Sequence, residues 1–178
     1  KGLGFLNVLY QYISQNQSVE INYKSFKSDA ESYFTISPYY LKQYNNRWFL
    51  FGWNHQFGNI QNLALDRIIS IENSKEAFIN NEIDFNEYFE DIIGVSNNME
   101  ENAVKISIIL SENILPYIIS KPIHGSQKIS GNILNLELKL NYELESLILS
   151  FGENMQVLEP FVLVEKIKER ISKIRFNI

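Results

Sequence analysis

Residues 36–53 read ISPYYLKQYNNRWFLFGW, and this stretch decides the fold of the first half of the chain. Apolar and aromatic residues on both sides of Asn45 and Asn46 are typical of strands, and paired asparagines readily adopt the left-handed conformations that a tight hairpin turn needs. Pro38 has no backbone N–H for a strand ladder, so it marks an edge, a bend or a bulge. The stretch therefore predicts an antiparallel hairpin whose second strand covers residues 47–53.

The sequence around this hairpin predicts one helix and several short strands. Apolar residues recur at helical spacing over residues 4–15, which predicts an N-terminal helix. Val19, Ile21 and Tyr23 then alternate with polar residues, as a half-buried strand requires. A turn region at residues 55–59 precedes a further extended stretch that continues to residue 71, so we expect Arg67 to lie in a strand. Short strands joined by tight turns, with one helix in front, indicate a small closed or nearly closed barrel.

The second half of the chain shows a different order of elements. Residues 91–102 are polar and contain a glycine, so the best candidate linker lies there. Beyond it, apolar periodicity predicts strand, helix, strand, strand, helix, strand, which is the order of a ferredoxin-like sandwich, and then a final amphipathic helix. We therefore expect an α+β protein with a first domain at residues 1–94, a linker at 95–102 and a second domain at 103–178.

Composition excludes several classes of protein. The 178 residues include 16 Lys plus Arg and 21 Asp plus Glu, so the formal net charge is −5 and any nucleic-acid contact must be local. Cysteine is absent, which excludes disulfides and thiolate metal sites, and the two histidines lie far apart in sequence. We expect no metal, no cofactor, no membrane span and a cytoplasmic location. Because Lys1 stands where a start methionine would, without a leader, we expect a longer parent chain.

Six short motifs follow one another along the chain: INYKSF at 21–26, ISPYYL at 36–41, RWFLFG at 47–52, NLALDRI at 62–68, KPIHGSQ at 121–127 and LILSFGE at 147–153. The first four resemble the WYL domain family of bacterial transcriptional regulators, and the last two look like the WCX-type extension that commonly follows such a domain. The Trp-Tyr-Leu triplet that names the family stands here as Trp48, Phe49 and Leu50. A tyrosine hydroxyl is therefore missing at its middle position.

The resemblance implies an SH3-like (Sm-like) β-barrel that binds an anionic effector, either single-stranded DNA or RNA or a nucleotide-like molecule. It also implies that the barrel signals to an N-terminal helix-turn-helix that binds DNA and is not present in this chain. Residues 1–15 resemble the helix that leads from it into the barrel. The ferredoxin-like extension implies dimerisation or signal relay, so we expect a homodimer. Gln61 and Ala64 stand where relatives often carry arginines, which implies a less anionic ligand or weaker binding.

The residues expected to contact the effector combine cations with aromatic rings. Arginine presents a planar fork of donors to phosphate, and aromatic faces stack on unpaired bases. The predicted ligand-binding residues are Arg67, Arg47, Trp48, Tyr23, Tyr39 and Lys42. Each also has an ordinary structural interpretation: Arg67 pairs with Asp66 or another acid, Arg47 is a solvated hairpin flank, and Trp48 fills the core. The two tyrosines and Lys42 then belong to an ordinary barrel surface.

Two other classes of function stay open. A free sheet edge or the last helix could bind another protein, which would make the chain an assembly module. An enzyme acting on nucleic acid is the weaker alternative, because no nucleophile, base and orienting acid stand at a recognisable spacing. In particular, His124 and Ser126 lie together in a loop motif without a suitable acid. The sequence therefore predicts a binding module with no catalytic residues.

Overall fold

The structure is a computed structural model that describes residues 2–174. The chain divides into two compact units, of which the first ends at Phe85 and the second begins at Asn86. Residues 1 and 175–178, which the predicted outer domains include, lie outside the described residues. Within the described range, no helix is long and apolar enough to cross a membrane.

The first unit begins with a 3-10 turn at Leu3–Phe5 and consists mainly of one helix and an antiparallel sheet. Its elements are α1 (Leu6–Ser14), β1 (Val19–Tyr23), β2 (Ser32–Tyr44), β3 (Arg47–Asn54), β4 (Asn59–Ala64) and β5 (Ile68–Asn73). The predicted N-terminal helix and the early strands are confirmed. A short helix that the sequence pattern does not predict, α2 (Phe85–Glu90), starts at the last residue of this unit.

The sheet of the first unit is open, which corrects the prediction of a closed or nearly closed barrel. Its strand order is β4-β3-β2-β1-β5, so β4 and β5 lie at opposite edges. Among the described residues no ladder joins these two strands, and a second 3-10 turn at Leu65–Arg67 connects them instead. Strand number and turn spacing predict a sheet, but closure depends on pairing between its two edges, which local sequence does not specify.

The central hairpin forms as predicted. Asn45 and Asn46 have φ angles of 46° and 59°, which is the left-handed geometry of a two-residue hairpin turn, and Tyr44 pairs with Arg47 across it. The ladder between β2 and β3 shifts register between Pro38 and Tyr40, so the proline marks a bulge within a central strand. The bulge interrupts the ladder where proline cannot donate a backbone hydrogen bond.

The two faces of this sheet are covered in different ways. Leu9 of α1 is fully buried against a cluster that includes Ile21 and Leu50, and burial of such a side chain stabilises the fold by about 1.5–3 kcal/mol. Phe51 follows Leu50 in β3 and is also fully buried. Its ring meets that of Phe85 edge-on, with the centroids 5.9 Å apart. Leu9, near the start of the unit, and Phe85, at its end, therefore both pack against residues of β3.

The second unit has the predicted order of elements and a four-stranded antiparallel sheet with strand order β7-β8-β6-β9. Its elements after α2 are β6 (Val104–Leu110), α3 (Leu115–Ser120), β7 (Lys128–Ser130), β8 (Ile133–Leu138), α4 (Tyr142–Ser150), β9 (Met155–Glu159) and α5 (Phe161–Ser172). Its core includes Ile108, Leu134 and Leu163, which are fully buried. Both halves of the chain are therefore mixed α+β structures, as predicted.

Part of the segment predicted as polar linker packs within the second unit. Val95 is only 4% exposed, and the hydroxyl of Ser96 donates a 2.8 Å hydrogen bond to the carboxylate of Glu143. The carboxylate of Asp91, at the start of the polar segment, lies 3.4 Å from the ammonium group of Lys139. Polar composition did not reveal these contacts because their partners lie more than forty residues further along the chain.

Candidate ligand-binding site

The 3-10 turn at Leu65–Arg67 positions the charged pair of the NLALDRI motif. Leu65 is 1% exposed and anchors the turn in the core, whereas Asp66 and Arg67 are only half-buried. The carbonyl of Arg67 accepts a 3.0 Å hydrogen bond from the backbone N–H of Lys24, just after β1. Arg67 was predicted to lie in a strand, and this is wrong. The turn allows Asp66 and Arg67 to line the same cavity, whereas neighbouring residues of a strand point to opposite faces.

Arg67 lies over an exposed aromatic ring. Its guanidinium carbon is 4.5 Å from the centroid of the Phe26 ring, and Phe26 is 72% exposed. Both residues line a cavity of about 360 Å³ together with Lys24, Ser25 and Ser28. Guanidinium stacking on a ring holds the donor fork of an arginine in one plane. The cavity therefore combines two cations, two hydroxyls and a ring face that solvent reaches.

Arg67 has no acidic partner within residues 2–174. Its Nε atom is buried and without a hydrogen-bond partner there. The expected alternative, an ion pair with Asp66, does not occur, because Asp66 Oδ2 lies 3.2 Å from a guanidinium nitrogen of Arg47. Asp29 also lines the cavity, so Lys24 and Arg67 stand against one carboxylate that is not already paired. With Arg47 counted as the partner of Asp66, three cations stand against two carboxylates here, whereas the whole chain has a net charge of −5.

Arg47 and Trp48 line a second cavity, at the tip of the hairpin. It has a volume of about 350 Å³ and is bordered by Asn45, Asn46 and Asp66. Trp48 packs against the core of the first unit with one part of its ring. Asp66 borders both cavities. Arg47 and Trp48 therefore line one cavity, whereas Arg67 lines the other.

The other three predicted ligand residues line neither of these cavities. Tyr23 is 8% exposed and belongs to the hydrophobic core of the first unit. The Tyr39 hydroxyl donates a 2.8 Å hydrogen bond to the carbonyl of Ile79, and burial together with the charge of Glu82 raises the pKa of Tyr39. Lys42 lies opposite Phe49 in the ladder, and burial lowers the pKa of its ammonium group.

Several residues of the cavities were not predicted as ligand contacts. Phe26 stands in the INYKSF motif, but its ring partner is Arg67, which is 41 positions away. Asn45 and Asn46 were assigned to the turn alone, although their side chains also border a cavity. The sequence does contain a signal for Phe26, which stands between Lys24 and Lys27. Sites for single-stranded nucleic acid combine aromatic rings, which stack on bases, with cations, which pair with phosphates.

Chemically, the Arg67 cavity is suited to an anionic group attached to a planar ring. A phosphate or carboxylate oxygen can accept hydrogen bonds from Lys24 and from the guanidinium group of Arg67, and a ring attached to it can stack on Phe26. No cluster of three or more potential metal ligands occurs in the described part of the chain.

Comparisons with known proteins identify two domains. Residues 4–73 match the WYL domain family, and residues 102–175 match the WCX domain family. No curated protein sequence matches the chain significantly.

Two solved structures resemble the chain over nearly its whole length. Proteasome accessory factor B/C (PafBC) of Arthrobacter aurescens is 16% identical, with a TM-score of 0.44 over 96% of this chain and 26% of that one. A CRISPR Cas-related protein is 12% identical, with a TM-score of 0.55 over 93% of this chain and 49% of that one. The second likeness is one of fold. The chain therefore spans about a quarter and about half of the two proteins that it resembles.

Proposed function

Because the chain belongs to the WYL domain family, with a WCX domain after the WYL domain, we propose that it is the effector-sensing part of a bacterial transcriptional regulator. In this role it is a binding module without catalytic function. Its WYL domain binds an anionic effector, and the bound state controls an attached helix-turn-helix domain that contacts DNA. Ligand binding changes such a state only if the effector prefers one conformation over the other.

The observation that carries this proposal is the pairing of Arg67 with an exposed ring. A guanidinium 4.5 Å above Phe26, with Lys24 in the same cavity, offers one contact to a phosphate and one to a base. Single-stranded DNA or RNA supplies both groups in every nucleotide, and stacking contributes about 1–3 kcal/mol per base. We therefore propose single-stranded nucleic acid, or a nucleotide with the same two groups, as the effector.

The finer architecture is part of the same proposal. The strand order β7-β8-β6-β9 with two intervening helices supports a ferredoxin-like WCX domain, and five antiparallel strands with a 3-10 turn before the last support an open SH3-like WYL domain. We place the WYL domain at residues 1–94, the linker at 95–102 and the extension at 103–178. We propose that the extension mediates homodimerisation.

Fluorescence anisotropy with labelled oligothymidine tests the proposed function. Arg67→Ala removes a charged hydrogen-bond donor, so we expect affinity to fall about tenfold or more. Arg170→Ala is the matched control, because Arg170 also stacks on a ring, that of Tyr142 at 4.7 Å, and the substitution removes the same charge. We expect this control to bind like the unsubstituted protein.

A second variant separates stacking from charge. Phe26→Ala leaves Arg67 in place but removes the ring, and we expect about a tenfold loss of affinity for oligothymidine. Phe26 is exposed, so the variant should unfold at the same urea concentration as the wild type. Equal binding by the wild type, Arg67→Ala and Phe26→Ala would remove this cavity from the effector site, and absence of any oligonucleotide binding would refute a nucleic-acid effector.

A further inference from the structure

The cavity at the hairpin tip differs from the Arg67 cavity in its charge. Arg47 and Asp66 are its charged lining residues, and they lie 3.2 Å apart as an ion pair. Their formal charges therefore cancel within the wall of the cavity. Because the carboxylate of Asp66 offsets the charge of Arg47, the cavity attracts an anion less strongly than an unpaired arginine would. The charge pattern thus disfavours a phosphate here and favours an uncharged ligand.

The rest of this cavity offers apolar surface and amide groups. Leu3 is 66% exposed and borders the cavity, as does the half-buried ring of Trp48. The side-chain amides of Gln43, Asn45 and Asn46 make no hydrogen bond to any residue between 2 and 174. Each amide supplies donors and an acceptor, so the cavity can satisfy both kinds of group on a ligand edge. Its volume of about 350 Å³ lies within the size range of small-molecule sites.

Asp66, which lines this cavity, also has an unsatisfied carboxylate oxygen. Asp66 Oδ2 pairs with Arg47, whereas Asp66 Oδ1 is buried and has no partner in the described part of the chain. Such a buried acceptor is costly unless something donates to it. A small shift of the turn on ligand entry would give this oxygen an amino or imino donor. The combination of ring, amides and lone acceptor matches a flat heterocycle that carries both donors and acceptors.

We propose that the hairpin-tip cavity is a separate binding site for an uncharged planar heterocycle of the nucleobase kind. Trp48 and Leu3 contact its faces, and the amides of Gln43, Asn45 and Asn46 bind its edge. The Arg47–Asp66 pair keeps the site neutral, so a phosphate group adds nothing to binding there. The site is independent of the anion site at Arg67, although Asp66 borders both.

The two tryptophans of the chain allow a direct test with deoxyadenosine, which carries no phosphate. In Trp53→Phe, Trp48 is the only tryptophan, and we expect deoxyadenosine to quench its fluorescence saturably. In Trp48→Phe, the remaining Trp53 does not line the cavity, and we expect no saturable quenching. Because the ligand is neutral, the affinity in Trp53→Phe should not change between low and high salt.

Further variants in the Trp53→Phe background identify the contacts. Asn46→Gly keeps the left-handed turn while it removes one amide, so we expect affinity for deoxyadenosine to fall about fivefold with no loss of fold. Arg67→Ala should leave deoxyadenosine affinity unchanged, which separates this site from the proposed anion site. Asp66→Asn leaves Arg47 unpaired, so deoxyadenosine monophosphate should then bind more tightly than deoxyadenosine.

Two results would overturn the inference. Absence of saturable quenching of Trp48 by deoxyadenosine would exclude the heterocycle site. Quenching that requires the monophosphate and disappears in high salt would show that the cavity binds anions. Oligothymidine binding at Arg67 is measured separately, so either proposal can fail while the other stands.

Discussion

Gly2 packs against the 3-10 turn at Leu65–Arg67, and replacing it tests whether this close contact fixes the position of the turn. Gly2 has a φ angle of 87°, and a Cβ atom added to it would lie 2.6 Å from the carbonyl carbon of Leu65 and 2.6 Å from the nitrogen of Asp66. Both are backbone atoms, so the contact cannot be relieved by a side-chain rotation. Gly2→Ala therefore forces either the N-terminal segment or the Leu65–Arg67 turn to move.

The expected cost of Gly2→Ala has two parts. A left-handed conformation costs a residue with a Cβ about 1–2 kcal/mol relative to glycine. Steric overlap with a packed backbone adds about 1–3 kcal/mol. Gly58→Ala is the matched control, since Gly58 has a φ angle of 63° but no atom within 4 Å of the added Cβ. The control should therefore show only the first part of the cost.

Urea unfolding of the two variants measures the difference in free energy. We expect Gly2→Ala to be less stable than Gly58→Ala by about 1–3 kcal/mol. Because the shift reaches Asp66 and Arg67, oligothymidine affinity should also fall in Gly2→Ala and stay unchanged in Gly58→Ala. Equal stability and equal affinity in the two variants would show that Gly2 does not constrain the turn, and would refute this reasoning.

Two further predictions concern residues 79–85, which follow β5 and contact Tyr39, Tyr40 and Phe51 of the sheet. Tyr39→Phe removes the hydrogen bond to Ile79, so the free energy of unfolding at neutral pH should fall by about 1 kcal/mol. Burial and the charge of Glu82 raise the pKa of Tyr39 above 10.0, so the unfolded chain releases this proton first and wild-type stability falls as pH rises beyond that value. Unfolding followed by circular dichroism against pH should show the difference between wild type and Tyr39→Phe narrow in alkali, and a constant difference would contradict this assignment. Phe85→Ala removes a ring that is 8% exposed and stacks on Tyr40 at 4.8 Å, so urea unfolding should show a loss of about 3–5 kcal/mol, and a loss below about 1 kcal/mol would mean that the ring is not part of the core.

Local chemistry explains which parts of the fold could be predicted. The hairpin depends on two neighbouring asparagines with positive φ angles, and the bulge depends on a proline that cannot donate to a ladder. Both are properties of residues close in sequence. The alternation of Val19, Ile21 and Tyr23 likewise predicts β1 and its buried face, because side chains alternate across a strand.

Features that depend on distant partners could not be predicted in this way. The open sheet results from the absence of pairing between β4 and β5 in the described chain, and apolar Leu63, Leu65 and Ile68 suggested a continuous strand where a 3-10 turn intervenes. The ion pair of Asp66 with Arg47, rather than with its neighbour Arg67, follows from that turn. The spacing of apolar residues along the sequence predicts which side chains are buried, but it does not predict which distant residues they contact.

In the candidate site, too, some residues could be predicted from sequence motifs and others only from their distant partners. The family motifs placed Arg67, Arg47 and Trp48 among the ligand residues, and the structure puts these three on the walls of two cavities that share Asp66. Tyr23 lies in the core instead, because its parity in β1 is that of the buried face. Phe26 was not predicted as part of the candidate site, because a 72% exposed ring is interpretable only once its arginine partner is known.

The salt dependence of oligothymidine binding tests the central claim most directly. If Arg67 neutralises a phosphate, the logarithm of the association constant should fall linearly with the logarithm of salt concentration, and Arg67→Ala should make the slope shallower by about 0.7 for each phosphate that is no longer neutralised. Arg170→Ala should keep the wild-type slope, since Arg170 is already paired with Glu145. Identical slopes for the wild type and Arg67→Ala would show that Arg67 does not neutralise a phosphate, and would contradict the assignment of this cavity as the anion site.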